Sequence, residues 1–443
     1  MTDATSAADL EELAAQAYLY AFPLVFNLEQ VERFVTTGVG ALASAPFNAL
    51  SHARALATPQ DDFVSVNNDT VYSLAQLDLS GGPARLHLPD SGDRYYVMQF
   101  VDAWTNNFAY VGKRATGTAA ADFLIVPPGW QGEPDAAATV IHAPTAIVTI
   151  VGRWACEGVD DLPAVRALQD ALTLTPQGAG NGIPPARAAT PALDFWERYR
   201  VWSQSFPPAD RDAALQASFA RLGLTGDTPL DDLDDATKAA LEAGFTKGGE
   251  ALDAILTGGT SPVVNGWQLT LHLFDYNLDF FEVGALEDPH WQITDPRTRL
   301  ADRAAAAKAG LWGNHGYEAA YFMTYIDERG EQLSGDRRYQ LRLSPTPPVE
   351  AFWSVTMYAL PDFYLVPNEI ERYSIGDRTP GIIPDDDGGI TLTMSANVPA
   401  DPKARANWLP APAGAFRPIL RMYIPGEPVL VGSYAPPAIT RLD

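Results

Sequence analysis

The sequence predicts an α+β protein, mainly β: two jelly-roll-like antiparallel β-sandwich domains with a helical N-terminal segment and a central helical domain. Three observations point there. Apolar residues recur at helical spacing near the N-terminus, at spacing two from residue 71, at helical spacing again through the middle, and in β-type runs in the last third. The β-type runs are separated by Gly, Pro and Asp at near-regular intervals, as in an antiparallel sandwich. A length of 443 residues, 47% hydrophobic and 19% charged, describes a globular chain of two or three domains.

The expected divisions are 1–60 for the helical segment, 61–156 for the first sandwich, 157–312 for the helical domain and 313–443 for the second sandwich. From Ala7 to Phe34, residues such as Leu10, Leu13, Ala17, Leu24, Leu28 and Val31 form an amphipathic stripe, with Pro23 expected to kink or split the helix. Val71, Ser73, Ala75, Leu77 and Leu79 alternate with their neighbours, and Arg94 to Asp102 alternates likewise. Phe123–Val126 and Ile147–Trp154 are shorter β-type runs. Leu162, Val165, Leu168 and Leu172 mark one helix, and further helices are expected at 191–205, 210–222, 234–257, 266–285 and 297–311. The glycine-rich stretch 177–185 reads as an exposed loop, because Ile183-Pro184-Pro185 cannot open a phosphate-binding helix. Ala319–Asp327, Ala351–Tyr358, Ile390–Met394 and Phe416–Tyr423 are the strands of the last third.

Composition narrows the function classes. With 30 basic against 55 acidic residues, net charge −25, the surface repels phosphate backbones, so neither nucleic acid nor an anionic membrane is an expected partner. One cysteine, Cys156, excludes a disulfide framework and a cysteine zinc cluster. A basic n-region with an apolar run is missing, and Tyr18–Phe26 is too short to span a bilayer; the expected location is cytoplasmic. The six histidines make no HxH or HxxxH pair, and neither GxSxG nor GxxxxGK[ST] occurs. Asp385-Asp386-Asp387-Gly388 lacks a closing carboxylate and reads as an acidic turn. His272, among leucines, reads as a packed helix histidine. No metal site or particular cofactor is indicated.

Two polar groups stand at strand ends. Asn67, Asp69, Thr70 and Tyr72 open one strand, whereas Asp102, Thr105 and Asn106 close another, with Arg114 one short strand later. If these strands are neighbours, their carboxylates, amides and guanidinium meet near one sandwich edge. Such a set binds a polar ligand, holds a cation, or supports acid–base chemistry. The same residue types also tie down strand ends through Asx-turns. Asp69 and Asp78 are an odd number apart, on opposite strand faces, and make a poor catalytic pair. In the last third Arg421 and Tyr423 share a face and, with Trp408, suit the wall of a sugar or aromatic site; a proline-stiffened plug is the alternative for Trp408.

The run Val66-Asn67-Asn68-Asp69-Thr70-Val71-Tyr72-Ser73, with Arg94-Tyr95-Tyr96, Asp102, Thr105-Asn106-Asn107-Phe108 and Arg114-Ala115-Thr116-Gly117, resembles the bacterial domain of unknown function 1254. Asn314, Tyr321, Phe352–Tyr358, Asn368, Arg372–Ile375, Asn407–Pro410, Arg421 and Tyr423-Ile424-Pro425 resemble its partner, domain of unknown function 1214. The resemblance implies two jelly-roll sandwiches with a helical domain between and around them, and implies no activity.

Three functional readings follow. The first is an enzyme, hydrolase- or lyase-like, acting on a small organic molecule in a cleft between the β domains. Asp69 and Asp102 would be catalytic. Asn67, Thr70, Tyr72, Thr105, Asn106, Arg114, Trp408, Arg421 and Tyr423 would bind substrate. The second is a non-catalytic binder of a carbohydrate or hydrophobic metabolite. The third is a structural protein whose sandwich surfaces build a homo-oligomer.

Overall fold

The structure, a computed structural model, describes residues 7–61, 65–133, 136–258 and 261–442. Helix and strand take similar shares, 30% and 26%, in an α+β fold. The chain opens with α1 (Ala7–Thr37), and nine strands follow: β1 (Leu50–His52), β2 (Thr70–Asp78), β3 (Ala84–Leu88), β4 (Tyr96–Asp102), β5 (Asn107–Gly112), β6 (Ala121–Val126), β7 (Thr139–His142), β8 (Ile147–Ala155) and β9 (Thr173–Pro176). They form a five-stranded sheet, β1-β2-β8-β4-β5, and a four-stranded sheet, β7-β6-β3-β9. Val71, Met98, Ile150 and Trp154 of the larger sheet meet Leu86, Phe123 and Ile125 of the smaller in one buried core. α2 (Leu162–Ala171) leads into β9.

The second sandwich repeats the plan. Its strands are β10 (Val263–Val264), β11 (Trp267–Leu269), β12 (Ala319–Met323), β13 (Tyr339–Leu343), β14 (Val349–Ala359), β15 (Ser374–Gly376), β16 (Ile390–Ser395), β17 (Trp408–Pro410), β18 (Phe416–Pro425) and β19 (Thr440–Arg441). A six-stranded sheet, β10-β11-β12-β18-β14-β15, covers a four-stranded one, β17-β16-β13-β19. Each smaller sheet holds one parallel pair, β6–β7 and β16–β17, within otherwise antiparallel sandwiches. The connections, 127–138 and 396–407, each run about a dozen residues, long enough for the chain to return to the end where it began.

Beside the sandwiches stand α3 (Pro191–Ser205), α4 (Ala213–Ser218), α5 (Asp235–Gly258) and α6 (Pro296–Gly310), which pack with α1 around Trp196, Tyr199 and Trp202. Residues 210–222 form a helical segment tightened to 3₁₀ geometry at both ends. α1 runs through Pro23 without a break in its assignment. The proline is buried, and packing against the neighbouring helices holds what an isolated helix would lose there. No helix among the described residues is long and apolar enough to cross a membrane.

The expected helix at 266–285 is absent. Trp267, Leu269 and Leu271 alternate, and β11 pairs with β12 instead. The chain then crosses to the first sandwich, where Glu282 N donates to Phe108 O and Tyr110 N to Val283 O, both at 2.8 Å. His272 is therefore no helix residue. It is half-exposed, with Nδ1 2.7 Å from buried Asp275.

Helix α5 meets α1 over two glycines. A Cβ at Gly244 would collide with Ala14, and one at Gly248 with Tyr18. Gly248→Leu is expected to cost about 1–3 kcal/mol in urea denaturation through overpacking. Gly249→Ala, whose Cβ meets nothing nearer than the Tyr18 hydroxyl at 3.9 Å, is expected to be neutral or to stabilise by up to about 1 kcal/mol.

Candidate functional site

Sheet register decides which polar residues meet. Cys156 N donates to Asp69 O, so Asp69 lies level with residue 156, beyond Thr70 paired to Ala155. Asp102 pairs with Val148, eight positions along the same strand. At about 3.3 Å per residue the two carboxylates are roughly 25 Å apart. Asp69 and Asp102 are at opposite ends of the five-stranded sheet and do not share a hollow.

The Asp102 end is knit to its own main chain. Oδ1 accepts from Trp104 N at 2.9 Å and Asn106 N at 2.8 Å, and Oδ2 from Asn106 Nδ2 at 2.8 Å. Thr105 has φ 68, a strained conformation for a β-branched residue, and its carbonyl is held by Tyr276. Asn106 Oδ1 accepts from Arg303 of α6. Burial pushes the Asp102 carboxyl up to about 6, against the pull of Asn106 and Arg303. This trio fastens the sheet to the helices. A cleft of about 1010 Å³ lies at that end, between Ser80, Thr145 and Phe206, and none of the three lines it.

The Asp69 end faces the second sandwich. The five-stranded sheet turns Tyr72, Arg153 and Tyr95 outward, and the six-stranded sheet presents Tyr321, Ser354, Arg421 and Tyr423 to them. Asn67 Oδ1 holds Asp69 N and Thr70 N in an Asx-turn. Its Nδ2 donates to Thr70 Oγ1 at 3.0 Å and to Tyr423 Oη at 2.8 Å. Asp69 Oδ2 accepts from Ser354 Oγ at 2.6 Å and Tyr423 Oη at 3.2 Å. Burial, with the Asp69 charge second, holds the Tyr423 phenol far above its usual range. Arg421 donates to Thr356 Oγ1 at 2.9 Å and Ser65 O at 3.0 Å. Tyr423 stacks on Phe352 with ring centres 4.1 Å apart and meets Tyr95 at 5.4 Å.

Arg114 closes the flank of this junction. Its Nε donates to Glu318 Oε2 at 2.5 Å, and Tyr95 Oη donates to Glu318 Oε1 at 3.0 Å. That guanidinium is already neutralised and lies 4.8 Å from the Tyr317 ring centre. Trp408 stands apart, on the edge of the second sandwich's smaller sheet, with Nε1 donating to Ser395 O at 2.9 Å. Thus the junction gathers Asn67, Asp69, Thr70, Tyr72, Arg421 and Tyr423, with Arg114 at its flank, and leaves out Asp102, Thr105, Asn106 and Trp408. Cys156 is buried, and burial pushes its thiol up.

Several junction residues had no role assigned from sequence. Arg153 is a lone charge inside the apolar run 147–154, itself a signal, because an unpaired arginine is seldom buried. Ser354 and Thr356 sit in a run that reads as a core strand, and Glu318 carries no pattern at all.

The architecture is that of paired β-sandwiches docked through a buried polar seam beside a helical domain. Residues 47–176 match the model of the family described as protein of unknown function (DUF1254), and residues 318–427 that of protein of unknown function (DUF1214). The chain belongs to the family that carries these two domains in tandem. The VPA0106 protein from Vibrio parahaemolyticus has a similar fold, at TM-score 0.73 and 22% identity over 98% of this chain and 100% of that one. An uncharacterized protein from Burkholderia cenocepacia aligns at TM-score 0.46 and 13% identity, over 99% and 94% of the two chains. No curated protein matches the sequence.

The Asp102 shift predicts a pH dependence. The folded-state value near 6 lies above an unfolded value near 4, so Asp102 binds its proton more tightly in the fold. Its burial then destabilises the fold progressively as pH rises from about 4 to about 6. Wild type should gain on the order of 3 kcal/mol over Asp102→Asn as pH falls from 6.5 to 4, in paired urea titrations.

Proposed function

We propose that the junction around Asp69 is the active site of an enzyme that acts on a small organic molecule by proton transfer, in a lyase-like reaction. The supporting observation is that Asp69 of one sandwich is hydrogen-bonded by Ser354 and Tyr423 of the other. The two domains thereby build one polar centre. With Asp102 at the far end of the sheet, the centre has one carboxylate, and a hydrolysis that needs a close carboxylate pair loses support. Ser354 has Asp69 beside it, and no histidine is hydrogen-bonded to it among the described residues, which weakens a serine-nucleophile route.

A single carboxylate beside a neutral phenol suits elimination. Asp69 takes a proton from substrate carbon, the electron pair forms the new double bond, and Tyr423 protonates the leaving group. The Tyr423 phenol, held far above its usual range, stays protonated until the leaving group demands the proton. Asn67 orients that phenol, while Tyr72 and Thr70 line the approach.

Purified protein should be incubated with a panel of small organic acids, alcohols and esters, and the products followed by mass spectrometry. Asp69→Asn and Tyr423→Phe are each expected to lower turnover about 100-fold or more, with thermal midpoints within a few degrees of wild type. Wild-type turnover in both variants removes these residues from the mechanism. Ligand-induced thermal stabilisation without chemical change assigns the junction to binding alone.

A further inference from the structure

Arg153 and Arg421 are buried to within a few percent of complete exclusion from water, yet neither makes an ion pair with any described carboxylate. Arg153 donates to Gln99 Oε1 at 2.8 Å, Asn314 Oδ1 at 3.1 Å and Trp312 O at 2.8 Å, all neutral. Among the described residues Arg421 bonds Thr356 Oγ1 and Ser65 O, and its Nε has no partner. Each guanidinium lies over a tyrosine ring, Arg153 5.5 Å from the centre of Tyr72 and Arg421 5.6 Å from that of Tyr358. Arg200 and Arg114 are matched instead by carboxylates, Glu197 and Glu318, both at 2.5 Å.

Register puts the two arginines in equivalent places. Arg153 pairs with Tyr72 across β8 and β2, and Arg421 pairs with Tyr321 across β18 and β12. Each arginine thus stands beside a tyrosine on the face its sheet turns to the junction. Tyr321 stands beside Arg421 in the sheet, and both guanidinium charges reach its phenol. Tyr72 and Tyr321 keep part of their surface accessible to water, while Arg153, Arg421 and Tyr423 around them do not. Beside Arg153, Asn314 is itself buried. Its Oδ1 is committed to the guanidinium, which fixes the amide orientation and turns Nδ2, a buried donor with no close partner among the described residues, toward the Tyr321 phenol. Among the described residues of the junction, counting Asp69 against the two arginines leaves one positive charge in excess. A buried charge is tolerated only when paired.

We propose that this junction binds a small organic carboxylate between Tyr72 and Tyr321, its oxygens taken by Arg153 of one sandwich and Arg421 of the other. The inference rests on the junction being the functional site and adds the chemical class of its ligand. Asn314 Nδ2 and Arg421 Nε supply the remaining donors, and the tyrosine rings favour an aromatic or otherwise flat body. The charge-assisted, bidentate geometry of guanidinium with carboxylate makes the site selective for an anion over its neutral isostere.

Benzoate and benzamide are the matched probes, with inorganic phosphate as the non-carboxylate anion, titrated calorimetrically into the full chain at low salt. Benzoate is expected to bind, benzamide to bind at least about tenfold more weakly, and phosphate to compete poorly against the carboxylate. Arg153→Met and Arg421→Met should each weaken benzoate at least about tenfold. The same variants should hold or raise the ligand-free thermal midpoint, since each removes an uncompensated buried charge. Equal binding of benzoate and benzamide, or benzoate affinity unchanged in both arginine variants, overturns the carboxylate. Benzamide binding that Asp69→Asn weakens would keep the junction as a site while refuting the anion. Failure of benzoate to bind at millimolar concentration, together with a lowered midpoint in both variants, overturns the proposal and makes the arginines structural.

Discussion

Everything in the molecule is arranged around one docking event, the outer face of a five-stranded sheet pressed against the outer face of a six-stranded sheet. Each of these sheets already covers a sandwich core with its inner face. Its outer face would normally meet water, and carries residues suited to water. Docking buries Arg153, Arg421 and Tyr423 and leaves Tyr72 and Tyr321 only partly accessible to water. Apolar contacts among Tyr95, Val97, Ala319, Phe352 and Tyr423 supply the adhesion. The hydrogen bonds from Asn67 to Tyr423, from Tyr423 to Asp69 and from Arg421 to Ser65 set the registration of the two bodies.

That constraint explains the uneven fate of the polar residues. Asp102 and Asp69 look alike in sequence, each beside asparagine and threonine at a strand end. Asp102 spends both oxygens on amides within four residues of itself, whereas Asp69 is bonded by side chains some 285 and 354 residues away in the chain. Local bonding of the first kind stabilises a turn and leaves little free for a ligand. Long-range bonding of the second kind creates a centre that exists only when both domains are folded. The helical domain serves this centre indirectly, because the stretch from Trp312 to His315, at the end of α6, lies over the first sheet and delivers Asn314 to Arg153.

The seam also has an electrical asymmetry. The protein carries a net charge of −25, yet the described residues of this buried seam hold more positive than negative charge. Arg114 and Glu318 cancel at the flank, and Asp69 offsets one of the two remaining guanidiniums. A carboxylate bound as proposed would offset that charge, and the surrounding acidic surface disfavours the entry of highly charged anions.

By itself the sequence determined the order of β and α regions, most element positions and the tandem family. Those follow from hydrophobic period and turn residues, which are local. The limits of α3 came out at 191–205 as expected, and β2, β4, β8, β14 and β18 lie within a few residues of their expected runs. The segment 266–285 departs from the expected helix because Trp267, Leu269 and Leu271 are spaced by two and β11 pairs with β12 near the sheet edge. Which polar residues face one another was decided only by tertiary structure. Strand register separates Asp69 from Asp102, and sheet docking gathers Arg153 and Arg421 at one junction. Both depend on pairings between residues from dozens to hundreds of positions apart, which no local period encodes.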